Sequence, residues 1–238
     1  MLLKDPQQFY RERILGQYEP QAERDVFSEG SFVHSLVLEP DKVAQYAMYP
    51  GLRKAGKDWE VFKAANAGKT ILSAPQVNRC EALAQAALSM PVALNMLKAG
   101  EAEHTMLSEI LGVKVKARAD WINIEAGYIL DVKTTAMPSS REVFQQTVSD
   151  FDYALSAALY CQIAFNNYGK LFEFYFLVLS KDDKQCHIYK ASTDLLSYGA
   201  ARVTKAIVLY KQCLVSGVWQ LQQPKPDFST IAYQIEEI

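Results

Sequence analysis

The 238-residue chain lacks any apolar run of about eighteen residues or more, so no membrane span is expected. Its first residues, MLLKDPQQFYRER, become charged at once. They have neither the apolar core nor the small-residue cleavage site of a signal peptide, and they read as the start of a cytoplasmic chain. Cysteine is sparse. Cys80, Cys161, Cys186 and Cys213 lie far apart with no C-x-x-C pair, which argues against a zinc or iron–sulfur site and for reduced, interior thiols. A global basic charge is also missing. The net charge is −2 and the pI about 6.0, so any nucleic-acid partner must be held by local patches. Ala65–Lys69 ends like a nucleotide loop but lacks the first glycine at the required spacing. Neither an internal repeat nor a low-complexity linker is present.

Half of the residues are hydrophobic, enough for a sizeable core in one domain of this length. Asp5 as a cap, Pro6 at N1 and the stripe Phe9, Tyr10, Ile14, Leu15 predict a helix over 5–16. A second helix is expected over 30–40, where Phe32, Val33, Leu36 and Val37 recur at helical spacing before Pro40. Residues 41–70 are less regular. Arg53, Lys54, Lys57, Lys63 and Lys69 interleave there with Trp59 and Phe62, either as a solvated face or as a phosphate-tracking patch with aromatic stacking. Ser73-Ala-Pro-Gln76 is a capping box that opens a helix to about Ser89, and a shorter helix ends at Gly100. A helix over 150–166, an apolar strand over 172–182, its partner over 186–192 and an amphipathic helix over 193–216 complete the pattern. The tail holds Trp219, Pro224 and Pro226, and its end is expected to be mobile. The layout is a helical first half followed by a mixed sheet with helices, an α/β (α+β) arrangement around one core. The expected division is a mainly helical part over 1–100, a catalytic core over 101–220 and a tail over 221–238.

The chemistry concentrates in Lys116–Thr135, KARADWINIEAGYILDVKTT. Two short strands with a turn are expected. Asp131 and Lys133, two apart in a strand, share one face, while Leu130 and Val132 share the other. A hairpin-like return brings Asp120 beside them. Two carboxylates and an ammonium are costly to bury as a purely structural feature, whereas a metal site uses them. Upstream, Glu101 and Glu103 either share a strand face or sit in a solvated turn. His34, inside its apolar helix, reads as a core histidine bonded to a backbone group or as a ligand.

Asp120 followed by Asp131-Val-Lys133 is the D…(D/E)xK arrangement. Together with GSFVHSLVLEPD (30–41), AEHT (102–105), KARADWI (116–122), ILDVKTT (129–135) and YALSAALY (153–160), in that order and spacing, it resembles the RecE-type exonucleases of the PD-(D/E)xK nuclease superfamily. The likeness extends over residues 1–220. It implies a restriction-endonuclease-like fold with a mixed sheet flanked by helices. It implies that His34, Asp120, Asp131 and the Val132 carbonyl bind metal, that Lys133 is the active-site lysine, that Glu103 serves a second metal or stands behind it, and that Tyr153 lies near the reaction centre. Mg²⁺ or Mn²⁺ fits such a donor set, with two ions about 3.5–4 Å apart. Lys133 would position water, deprotonate it or shield charge. The resemblance further implies 5′ to 3′ digestion of linear double-stranded DNA ends leaving 3′ overhangs, a ring-like trimer or tetramer, a single-strand annealing recombinase as partner, and a phage or prophage setting. Related exonucleases carry a glutamine three residues after the tyrosine. Here Ser156 stands there, with Gln145, Gln146 and Gln162 as other sources of an amide. The alternatives are a nuclease of this fold with other specificity, endonucleolytic or single-strand-specific, or a DNA-binding assembly protein with a decayed site.

Overall fold

A computed structural model describes residues 1–17, 25–51, 53–220 and 235–237. The chain opens with α1 (Pro6–Phe9), capped by the Asp5 carboxylate on the Gln8 N–H, and continues as a π-helical turn over Tyr10–Ile14. Helix α2 (Asp25–Leu38) follows, ended by Pro40. The irregular stretch after it holds β1 (Tyr46–Tyr49), α3 (Lys57–Ala65) and β2 (Thr70–Ser73), with β1 and β2 paired in parallel. This small sheet gave no sequence signal, because four-residue strands are too short to show alternation. Trp59 and Phe62 both turn edge-on to Tyr49, each 5.2 Å between ring centroids. They pack inward, so the aromatic half of the expected stacking patch is not presented to solvent as a pair.

The capping box forms as expected: the Ser73 N–H donates to Gln76 Oε1 (2.8 Å) and starts α4 (Ala74–Leu88), followed by α5 (Pro91–Met96). The main sheet comprises β3 (Glu101–Ile110), β4 (Val113–Asn123), β5 (Tyr128–Thr135), β6 (Glu173–Ser180), β7 (Cys186–Ala191) and the three-residue β8 (Ile235–Glu237), in that spatial order. Only β5 and β6 run parallel. Their crossover is made by α6 (Arg141–Asp150) and α7 (Tyr153–Tyr168), as a parallel pair requires. Helix α8 (Thr193–Ser216) follows β7.

Each face of the sheet has its own core. Ile129, Phe174, Phe176, Val178 and Tyr189 pack with Phe144, Val148, Ala157 and Ile163 of the crossover helices. Leu130, Val132, Leu177, Leu179 and Ile188 pack on the other face with Phe32, Val33, Cys80, Leu83 and Ala84 of α2 and α4. A central strand buried on both faces explains why FYFLVL, residues 174–179, reads as an unbroken apolar run.

Trp219 lies just before the segment 221–238 expected to be mobile, and it is held in place. Trp219 is buried, stacked on Tyr10 (4.9 Å) and Phe9 (6.1 Å) and edge-on to Tyr210 (5.9 Å). Burial of an indole between the first helix and α8 outweighs the freedom expected near a terminus. Within the expected tail, β8 pairs antiparallel with β7, and the other positions of 221–238 lie outside the described residues.

Candidate functional site

Strands β3 and β4 pair from Glu101–Ile122 to Ile110–Val113, with one interruption, at Glu103 and Asp120. Side-chain alternation slips there in both strands. Ala119 and Ile122, three apart, enter the same core cluster, whereas Trp121 enters the other; Met106 and Ala102 part in the same way. Glu103 carries the kink, with φ +52, a left-handed conformation that non-glycine residues rarely adopt. Pairing between β4 and β5 covers only Trp121–Asn123 against Tyr128–Leu130. Beyond it the strands diverge, and the Asp120 carboxylate takes over the ladder's task by accepting the Val132 N–H at 2.8 Å.

Helix α2 lays His34 over this divergence. It approaches closely because Gly30 faces β5, where a Cβ would lie 3.3 Å from the Thr134 hydroxyl. The helix is anchored by Glu29, whose buried carboxylate pairs with Arg79 (2.7 Å) and Lys181 (2.9 Å). Burial alone would raise the Glu29 pKa, but the two cations outweigh it and hold the group below its ordinary range.

His34 Nε2 lies 2.8 Å from the Val132 carbonyl oxygen. A carbonyl only accepts, so Nε2 carries the proton. Nδ1 then faces Asp120 Oδ2 at 3.6 Å. Two lone pairs would confront each other there unless a cation, a proton or a metal ion, stands between them. His34, Glu103 and Asp120 offer ligand atoms that all lie within 4.8 Å of one another. The chemistry of the set, one imidazole and two carboxylates, fits a divalent cation. Electrostatics agree. Burial, and next the charge of Asp131, push the Asp120 pKa up to about 6 against the opposing pull of His34, Lys133 and the Val132 N–H. Added positive charge would relieve that carboxylate.

Asp131 and Lys133 share a face of β5 and form an ion pair, with Asp131 only 7% exposed. Leu130 and Val132 point to the opposite core. Burial alone would lower the Lys133 pKa, but Asp131 and then Asp120 outweigh it, and the group stays an ammonium. Its Nζ lies 4.9 Å from the centre of the Tyr153 ring at the start of α7. Burial, opposed by Lys133, raises the Tyr153 pKa.

The structure thus brings together His34, Glu103, Asp120, Asp131, Val132, Lys133 and Tyr153. It divides them into a His34–Glu103–Asp120 cluster and an Asp131–Lys133–Tyr153 group. Val132 links the two, its N–H on Asp120 and its carbonyl on His34. Glu101 goes elsewhere, to His104 Nδ1 at 2.6 Å, while His104 Nε2 meets the Tyr168 hydroxyl at 2.8 Å. The two acids read as sharing a strand face therefore serve different partners, because the backbone kink lies at Glu103. Ser156 is exposed on α7 between Tyr153 and Tyr160 on the helical face. Gln146 bonds Asp150 and Gln162 bonds Asn166, so both amides are engaged away from Asp120 and Asp131.

Three participants were not read from the sequence. Arg118 Nε lies 2.8 Å from Glu103 Oε2. Tyr160, one turn beyond Ser156, has a pKa raised by burial and next by Asp131 and Asp120. Glu29, the anchor of α2, looked like part of a polar loop. Only the alternating KVKARAD pattern carried a signal, and it pointed to Arg118. Beside Glu29 opens a cavity of about 600 Å³ lined by Arg53, Lys54, Ser73, Gln76 and Arg79. The basic half of the expected patch is thus partly gathered against α4.

The family model described as PDDEXK-like domain of unknown function (DUF3799) matches residues 6–224. Among solved structures, a candidate exonuclease from Eubacterium rectale superposes with a TM-score of 0.60 at 16% identity, covering 90% of this chain and 82% of that one. SSO0001 matches at 15% identity over 93% of this chain and 96% of its own, but its TM-score of 0.34 carries no argument. No curated protein sequence matches the chain. Among the described residues, no helix is long and apolar enough to cross a membrane.

Proposed function

The chain belongs to the family of the PDDEXK-like domain of unknown function (DUF3799), and from that premise we propose that it is a metal-dependent DNA exonuclease. The observation that carries the reading is the convergence of His34, Glu103 and Asp120 beside the Asp131–Lys133 pair, where β4 and β5 stop pairing. A binding scaffold has no use for a buried carboxylate pair that repels itself; a hydrolase of phosphodiesters does.

In this reading His34, Glu103 and Asp120 hold a divalent cation, Mg²⁺ or Mn²⁺, and Asp131 and the Val132 carbonyl complete a site for up to two ions. Such an ion, when bound, supplies Lewis-acid stabilisation of phosphate charge and a more acidic water. The protein's own groups do the rest. Val132 fixes the histidine ring through its carbonyl and the Asp120 carboxylate through its N–H. Lys133, held as an ammonium, orients a water or phosphate oxygen by donation and offsets charge in the transition state; in this arrangement it is not a neutral base. Tyr153 holds the ammonium over its ring and closes the face next to α7.

Exonucleolytic action on linear double-stranded DNA, 5′ to 3′, leaving 3′ overhangs for an annealing recombinase, is the specificity carried by the RecE-type resemblance, as is assembly into a ring-like trimer or tetramer. We place the whole activity in one nuclease domain spanning residues 1–238, with its catalytic core over 101–220.

The test is digestion of end-labelled linear duplex with Mg²⁺ beside a circular duplex of the same sequence. Loss of label from the 5′ end of the linear form alone, abolished by Lys133→Ala and by EDTA, is the expected result. Cutting of circles would replace the exonuclease reading with an endonuclease of the same fold. A wild type inert on both substrates would leave a protein that binds without cutting.

A further inference from the structure

Strands β3 and β4 stay paired to Ile110–Val113, but β4 leaves β5 after Trp121. The hairpin therefore continues past the sheet as a two-stranded arm. One face of the arm is covered, with Met106, Ala117 and Ala119 buried in the core cluster that includes α7. The other face is open. Lys114, Lys116 and Arg118 are all exposed and alternate with the inward residues of β4. Residues two apart on a strand are spaced by about 6.6–6.8 Å on one side. The three cations thus form a line along β4 that runs toward Asp120. The line reaches the site itself, because Arg118 contacts Glu103 while its side chain stays 64% exposed.

Their surroundings suit an outward-facing partner. Across the ladder, Thr105 stands opposite Arg118, Leu107 opposite Lys116 and Glu109 opposite Lys114, so acids meet the line only at its two ends, Glu109 at the far one and Glu103 of the site at the near one. Leu107 is 66% exposed, so among the described residues no other element covers this face at its centre. Lysines are often placed on unpaired strands to block aggregation, and β4 has no β5 partner over 114–118. This line of cations differs in that it runs into the site, through the contact of Arg118 with Glu103.

We infer that the open face of β4 is the track on which the phosphate backbone of a nucleic-acid strand lies as it enters the site, with Lys114, Lys116 and Arg118 as its contacts. The inference rests on the nuclease reading and adds the direction of approach: along the β3–β4 arm, toward the divergence of β4 from β5. Arg118 is the junction, reaching Glu103 with one nitrogen and presenting its other N–H groups to solvent. A net charge of −2 is no obstacle, because the cations are local and the acids of the site lie at the end of the line, where a cation offsets them.

The test measures binding of the full-length protein to a fluorescein-labelled linear duplex in EDTA, across 50–200 mM salt. Lys114→Gln/Lys116→Gln is compared with wild type and with the control Lys98→Gln/Lys205→Gln, which removes two exposed charges elsewhere. Each phosphate contact on duplex contributes about 0.9 to the slope of log affinity against log salt. The track variant is therefore expected to lower that slope by about 2 and to weaken binding about tenfold or more, with the melting temperature unchanged. The control should leave the slope within about half a unit of wild type. A track variant with wild-type slope overturns the inference, as does an equal fall in both variants, which would mean diffuse attraction. If the wild type neither binds duplex nor digests it, the nuclease reading itself fails, and the two failures are thereby told apart.

Discussion

At the scale of single residues, the site works by leaving acceptors facing one another. His34 has its Nε2 proton committed to the Val132 carbonyl, which turns the Nδ1 lone pair toward Asp120. His34→Ala is expected to weaken Mn²⁺ binding by about tenfold or more, read by calorimetric titration, with only a small change in melting temperature, because the ring is partly exposed. An unchanged titration would return His34 to a structural role. A different carboxylate shows how the fold's own stability responds to pH. Asp183 accepts the Ser139 N–H (2.7 Å), the Ser139 hydroxyl (2.9 Å) and the Gln185 N–H (2.9 Å). Its slight desolvation pushes the pKa up, but these donors prevail and pull it down to about 2. A depressed carboxyl stabilises the fold above its unfolded value near 4 and loses that contribution as pH falls toward 2. Asp183 is exposed, so Asp183→Asn should cost about 1 kcal/mol at pH 7 and almost nothing near pH 2, measured by urea unfolding at both.

At the scale of elements, the decisive features are where strands stop pairing and where helices come close. The slip in alternation at Glu103 and Asp120 puts both carboxylates beside His34, where β4 leaves β5. Helix α7 must hold Tyr153 against Lys133, and it is itself held by α8. The two helices meet at Gly199, where a Cβ would lie 2.0 Å from the Ala154 carbonyl oxygen and 2.8 Å from the Ala158 Cβ. The Asp152–Arg202 pair (2.6 Å) fastens the turn before α7 to α8. Gly199→Ala should therefore force the helices apart, costing about 1–3 kcal/mol as overpacking does. It should also lower nuclease activity by displacing Tyr153, with thermal melting and end-label digestion as the paired measurements. A destabilised protein of full specific activity would show that α7 tolerates the shift.

At the scale of the whole molecule, the chain's first residues and its C-terminal helix are joined through Trp219. Phe9, Tyr10 and Tyr210 surround the indole. Trp219→Ala is expected to cost about 3 kcal/mol or more, the range for removing a large buried aromatic. Urea unfolding would check this, and the effect should appear without loss of cation binding, since none of these rings belongs to the site. Equal unfolding midpoints would mean that the aromatic cluster is a surface feature. The two sheet faces are covered by helices from different parts of the chain. His34 comes from one layer and Tyr153 from the other, which places the cluster across the plane of the sheet.

Elements whose signals are local can be read along the chain. The capping box at Ser73, the apolar run of β6, the amphipathic α8 and the shared face of Asp131 and Lys133 follow from spacing alone, because they depend on backbone period and neighbouring side chains. The resemblance to RecE-type exonucleases added the candidate set His34, Glu103, Asp120, Asp131, Val132, Lys133 and Tyr153. Tertiary structure decided what those residues meet. The left-handed backbone at Glu103 separates it from Glu101. The parting of β4 from β5 gives Asp120 the Val132 N–H. Arg118 joins Glu103 across the ladder, and Glu29 finds its partners in Arg79 and Lys181. Each of these pairings spans strands or layers, and a hydrogen bond or ion pair between distant segments has no periodicity along the chain by which it could be read.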